Sequence, residues 1–171
     1  MSIAAVSLTD ALCQVLRLNA PVTTAFGDTW NASLSVAANV AAGNVAKFYS
    51  DWSDQIPEPY LVFDEVGETY ERNTQTPTAR SFIASGVILC PLWQAGREQA
   101  RVLAGLVCGA LNNCDEVKGP ITWSDFGGTC TLMEFYMSRG EFAPNQQIGP
   151  GIPATFNRIV TFNYTYQGYS S

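Results

Sequence analysis

Residues 81–113 read SFIASGVILCPLWQAGREQARVLAGLVCGALNN. Over 81–93 nearly every position is apolar, the pattern of a strand that lies centrally in a sheet and is covered on both faces. The period then changes. Gln99, Leu103, Leu106, Val107, Ala110 and Leu111 recur at helical spacing and predict a helix with one apolar stripe. Ala104, Gly105, Cys108 and Gly109 make a second face of small residues. Each helix-interior glycine costs about 1 kcal/mol, so close approach by a sheet, a helix or a neighbouring subunit is the expected compensation.

Upstream, residues 56–66 read IPEPYLVFDEV. Pro57 and Pro59 cannot donate to a sheet ladder, so they predict a stiff lead-in to a strand. Alternation places Leu61 and Phe63 on one side and Tyr60, Val62 and Val66 on the other. This strand is expected to form an antiparallel hairpin with 81–93. Residues 67–79, GETYERNTQTPTA, form a long polar connection whose first part can still pair. A short strand is expected within 45–50.

Nearer the start, Ser7 with Asp10 three residues on is a capping-box variant, and Leu8, Leu12, Val15 and Leu16 recur at helical spacing. Asn19 and Pro21 are expected to close that helix. Residues 27–44 are weakly patterned, and Asp28 is a candidate cap for a helix carrying Trp30, Leu34 and Ala38. The last third is β in character. ITWSDF and CTLMEFYMSR read as strands broken at Gly127-Gly128, and 140–153 is a Gly/Pro-rich loop. ATFNRIVTFNYTY then alternates cleanly, with Phe156, Val160, Phe162, Tyr164 and Tyr166 on one face. Asn157, Thr161, Asn163 and Thr165 take the other. The order predicts a single α+β domain over residues 1–171, a mostly antiparallel sheet with two or three helices on one face.

Composition narrows the function. The net charge of −6 and nine scattered basic residues argue against wrapping nucleic acid. Only 14% of residues are charged, so much of the surface is neutral and cheap to desolvate against other subunits. The five cysteines, 13, 90, 108, 114 and 130, lack metal or disulfide spacing and read as reduced thiols, mostly buried. The start has no basic n-region, no apolar run spans a membrane, and the sequons at Asn31 and Asn163 read as chance matches.

No histidine occurs, which removes Ser-His and Cys-His nucleophile pairs and imidazole metal ligands. Phosphate-binding glycine motifs are also missing. Asp64, Glu65, Glu68 and Glu71 gather near one hairpin and could suggest a carboxylate hydrolase. A solvated strand end explains them as well, and no second acid on another element is legible. Lys47 and Lys118 are equally unsupported as Schiff-base lysines. The expectation is a protein with no catalytic residues, cofactor or metal.

KFYSDWSDQIPEPYLVFDEV, the strand and helix at 81–112, and RIVTFNYTY together resemble the tail-completion and tail-terminator proteins of long-tailed bacteriophages. The segment from Pro57 to Phe63 leads a strand, and a second strand runs into a helix opening at Ala95 to Ala104. The likeness covers most of 8–111 and, loosely, 154–167; 27–44 and 114–153 depart from it. The resemblance implies a non-enzymatic virion protein, assembled in the host cytoplasm as a homo-oligomeric ring, commonly six-fold, at the head–tail junction. Such a ring ends tail-tube polymerisation and joins the tube to the head connector, while genomic DNA passes through its lumen. Net acidity suits that passage. Residues 67–79 and 143–153 are the expected assembly contacts. Another neck, minor tail or tube protein is the nearest alternative, and a small binding module or carboxylate hydrolase is more remote.

Overall fold

The computed structural model describes residues 3–50, 58–75, 80–94, 96–125, 127–142 and 156–170. These form an α+β domain around a curled, mostly antiparallel sheet. The strands are β1 (Ile3–Ala5), β2 (Phe48–Tyr49), β3 (Tyr60–Val62), β4 (Asp64–Gln75), β5 (Arg80–Gln94), β6 (Ile121–Asp125), β7 (Gly128–Phe142) and β8 (Phe156–Ser170). Their order is β1-β6-β7-β8-β5-β3-β2, with β4 also paired to β5. The short outer pairs β1–β6 and β2–β3 are parallel.

The helices are α1 (Leu8–Arg17), α2 (Ala20–Phe26), α3 (Val36–Ala41), α4 (Arg97–Leu111) and α5 (Cys114–Lys118). The expected two or three helices are thus five segments. The additional ones span five to seven residues, too short for a helical period to show in sequence. Ser7 caps α1 by accepting from the Asp10 amide at 3.1 Å, as its spacing predicts. Asn19 and Pro21, expected to stop α1, instead start α2. The Asn19 side chain accepts from the Val22 amide, and Pro21 occupies the first turn, where its missing N–H costs nothing.

Strand β5 is central, as expected, with β8 on one side and β3 and β4 on the other. Its register with β8 runs unbroken from Arg80↔Ser170 to Gln94↔Phe156. Ala84, Ile88, Cys90 and Leu92 of β5 are buried with Val160, Phe162, Tyr164 and Tyr166 of β8. Leu103, Ala104 and Val107 of α4 belong to the same core, as do Leu12, Val15 and Leu16 of α1. The opposite positions depart from the expectation of double cover: Ile83, Val87 and Leu89 are half-buried, as are Thr161, Asn163 and Thr165.

Residues 67–75, the first part of the polar connection, are paired in β4, the pairing expected there. The strict alternation over 60–66 fails, because Leu61, Val62 and Phe63 are all buried and Val66 is 62% exposed. The chain leaves β3 for β4 at Phe63, and a register shift follows between Glu65 and Gly67. Pro57 lies outside the described residues; the Glu58–Pro59 bond is cis.

The buried side of the sheet is organised by size across three strands. Glu68 of β4 pairs with Gly86 of β5, which pairs with Tyr164 of β8. One step along, Tyr70, Ala84 and Tyr166 stand in line. Because β5 offers only Gly and Ala there, the tyrosines cross it. Tyr164 donates to Glu68 Oε1 at 2.5 Å and Tyr166 to Oε2 at 3.0 Å. Tyr70 donates to the same Oε2 at 2.5 Å. The next row reverses the sizes: Phe82 of β5 lies over Gly168 of β8.

Two predictions follow from these rows. A Cβ at Gly86 would stand 2.6 Å from Tyr164 Cζ and 2.8 Å from the Gly67 carbonyl oxygen, neither of which is free to give way. Gly86→Ala is therefore expected to cost about 1–3 kcal/mol of unfolding free energy in denaturant titration, as overpacking does. The second concerns alkali. Burial, reinforced by Glu68, holds the Tyr164 and Tyr166 phenols above the ordinary tyrosine range. The hydrogen bond to Glu68, then burial, pushes Tyr70 up to about 12. A raised phenol favours the neutral form in the fold. Its contribution is complete below the unfolded value of about 10 and is lost as pH rises past it. Unfolding free energy should fall more steeply above that pH in the wild type than in Glu68→Gln, which denaturation across an alkaline pH series measures.

Candidate assembly surfaces

The sequence-predicted carboxylates lie together on β4 and divide between its two sides. Glu65 pairs with Ile88 and Glu68 with Gly86 at buried-side register positions, whereas Asp64 pairs with Leu89 and Glu71 with Ile83 on the other side. Glu68 is engaged by the tyrosine hydroxyls. Glu65 is held above the usual carboxylate range by burial first, then by Glu68, Asp125 and Asp64. Among the described residues no three His, Cys, Asp or Glu side chains are grouped to hold a metal ion. The arrangement suits a structural clasp.

Lys47 and Lys118 stand on separate elements. Lys47 is buried between the turn after α2 and β2, and desolvation lowers its pKa while Asp28 opposes the shift. Lys118 ends α5. The cysteines are free, and all but the half-buried Cys108 are buried. Burial pushes the Cys13 and Cys114 thiols up to about 12 and Cys130 to about 11, which keeps them unreactive. No helix of the described residues is long and apolar enough to cross a membrane.

Residues 27–48 are where sequence reading was weakest. Asp28 does not cap a helix over Trp30, Leu34 and Ala38. Its carboxylate is buried and ties distant segments together, accepting from the Lys47 amide at 2.7 Å and the Trp30 amide at 3.2 Å. Arg17 Nε lies 3.5 Å from it, and the same guanidinium donates to the Phe48 carbonyl oxygen at 3.0 Å. The helix forms later, as α3, capped by the Ser35 hydroxyl.

Within α3 the buried residue is Asn39, at 0% exposure. Its side-chain oxygen accepts from the Asn31 amide and the Asn44 side chain, both at 2.9 Å. Its NH2 group donates to the Asn31, Leu34 and Ser35 carbonyl oxygens. The apolar side chains point the other way: Val36 is 68% and Val40 67% exposed, with Leu34 and Val45 also exposed. Beside them a groove of about 610 Å³ opens, lined in part by Arg17, Trp30, Val36, Val45, Phe48 and Tyr49. The signal sequence reading missed was a lone Asn amid Val and Ala.

Other surfaces are also neutral. A Cβ at Gly105 or Gly109 of α4 would meet nothing within 4 Å among the described residues, so the close approach expected at them is not made there. The less buried sheet side carries hydroxyls and amides that bond across strands. Ser85 meets Thr165 at 3.3 Å, and Asn163 donates to the Tyr136 hydroxyl at 3.2 Å. Of the two expected contact loops, 67–75 is strand, while 76–79 and 143–153 lie outside the described residues.

Asn39→Ala is expected to strip five hydrogen bonds from residues 31–44 without touching the sheet core. Hydrogen exchange should accelerate at the amides of α3 and its flanks by roughly tenfold or more, the loss expected when buried polar groups lose a partner at about 1–3 kcal/mol. Amides of β5 and β8 should keep their protection.

No protein-family model matches this chain, and no curated protein matches it in sequence. The fold is similar to a solved chain described as "Virion of native gene transfer agent (GTA) particle". The TM-score is 0.54 at 15% identity, with 95% of this chain and 96% of that chain covered. At that identity the likeness is one of fold.

Proposed function

We propose that this protein is a virion structural subunit, without enzymatic activity, which forms a closed homo-oligomeric ring at the head–tail junction of a long-tailed phage-like particle. The observation that carries the reading is the fold likeness to a virion chain over 95% of this chain and 96% of that one. Nearly the full length of both chains is covered, which favours a shared domain over a common sheet motif. Composition points the same way, since a chain with 14% charged residues offers much surface that is cheap to desolvate.

In this reading the ring, commonly six copies in proteins it resembles, ends tail-tube growth and joins the tube to the head connector. Residues 76–79 and 143–153 meet neighbours or adjoining layers. DNA passes through the lumen without specific binding. The less buried sheet side suits such a lumen, because Thr161, Asn163, Thr165 and Gln167 of β8 are uncharged, and Arg139, which pairs with Thr161 on that side, is held 2.8 Å from Glu141.

Native mass spectrometry of the purified protein over rising concentration tests the reading. A discrete closed assembly is the expected result, and electron microscopy should show separate rings. Open-ended stacks would indicate a tube subunit instead. A monomer at every concentration would count against a self-assembling ring.

A further inference from the structure

Residues 29–46 contain no Asp, Glu, Lys or Arg, a longer uncharged run than the one at 81–96 that forms the central strand. The central run is inside the sheet, whereas this one is outside. Val36, Val40, Leu34 and Val45 are exposed, as are Ala32, Ala37, Ala41 and Ala42. A lone surface helix would be expected to turn its valines inward and its asparagine outward. Here the asparagine is inside, bonded to four surrounding residues, and the valines are outside. Internal polar bonds therefore hold the segment in shape before any partner arrives, which lowers the ordering cost of docking.

We propose that the uncharged surface on α3, with its adjoining groove, is the contact by which one copy of this chain docks onto the next; this rests on the ring reading above. Charge selects the occupant. Each copy carries a net charge of −6, so charged faces of two copies repel, and association between them is favoured where charge is missing. The longest uncharged exposed run meets that condition. The groove beside it gives a protruding side chain a concave seat whose α3 side, Trp30, Val36 and Val45, is uncharged, while Asp10 and Arg17 of α1 line its far wall.

The test compares the wild type with Val36→Asp/Val40→Asp and with the control Val117→Asp by native mass spectrometry and sedimentation. Val117 is 76% exposed on α5, away from α3, so it adds surface charge without altering the proposed contact. All three proteins should keep the same circular dichroism and melting temperature, because the substituted side chains are mostly exposed. The expected result is assembly of the wild type and the control, with association of the double variant weakened by about a hundredfold, the effect of carboxylates in a desolvated contact. A photo-crosslinking residue at position 40 should join copies of the same chain.

A double variant that assembles like the wild type overturns the contact and leaves the ring reading standing. Equal loss in the control overturns it too, since net charge alone would then be responsible. Crosslinks from position 40 that reach only a different protein of the particle likewise overturn it. A wild type that stays monomeric overturns both the ring reading and this contact.

Discussion

The buried side of the sheet depends on one carboxylate being satisfied where it cannot be left alone. Glu68 points into the side of β4 that faces the core, and a carboxylate drawn out of water there must be hydrogen-bonded. Tyr70 of β4 donates to it, and two further donors come from β8, two strands away, which is possible only because β5 is stripped to Gly86 and Ala84 along those rows. The reverse arrangement one row on, Phe82 over Gly168, fills the space that β8 leaves. Small and large residues are thus complementary across three strands. The same contacts bind β4 to β8, although β4 is hydrogen-bonded to β5 along its backbone. Trp123 of β6, edge-on to Tyr166 at 4.8 Å between ring centroids, joins the far side of the curled sheet to this cluster.

Outside the sheet, the chain uses polar hubs where apolar packing would have been the ordinary choice. Asp28 joins α1 to β2 through Arg17 and the Lys47 amide. Asn39 closes the loop around α3. Buried hydrogen bonds of this kind are directional, so they fix a conformation more sharply than nonspecific burial does. They also release the nearby Val and Ala from the task of holding the segment together, and those residues face outward.

The sequence was most readable where one side of an element is buried and the period is unbroken. The β8 alternation over 160–166 and the Ser7 cap of α1 appear where expected, and on α4 Leu103, Val107, Ala110 and Leu111 are buried as expected, while Gln99 is exposed and Ala104, assigned to the small face, is buried. The second strand of the central hairpin was harder. GETYERNTQ reads as a polar connection able to pair only in its first part, because Glu68 and Tyr70 share a side yet are half-buried and exposed, and a register shift interrupts the period. Only the partner residues Gly86 and Tyr164 explain why a glutamate belongs there, and they are distant in sequence. Segment 27–44 failed for a related reason. An Asx-type hub takes its meaning from backbone groups around it, which leave no mark on hydropathy. The four carboxylates are close in sequence yet divide two and two between the sides of a strand, so proximity along the chain overstated their convergence.

These points bear on why the surface is as neutral as it is. Composition shows few charges, but it does not show where they are. Asp28 and Lys47 are buried, Arg17 is turned onto Asp28 and the Phe48 carbonyl, and Glu68 is clasped by tyrosines. Each of these removes a charge from the exterior, so the outside is poorer in charge than the 14% of the whole chain suggests. The cost of that placement is met by specific hydrogen bonds within the fold, before association begins. What remains outside is a surface whose desolvation requires little, presented on segments already held in shape. In the proposed ring, where each subunit would meet like-charged copies of itself, moving charge inward and apolar residues outward lowers the barrier to contact without enlarging the core.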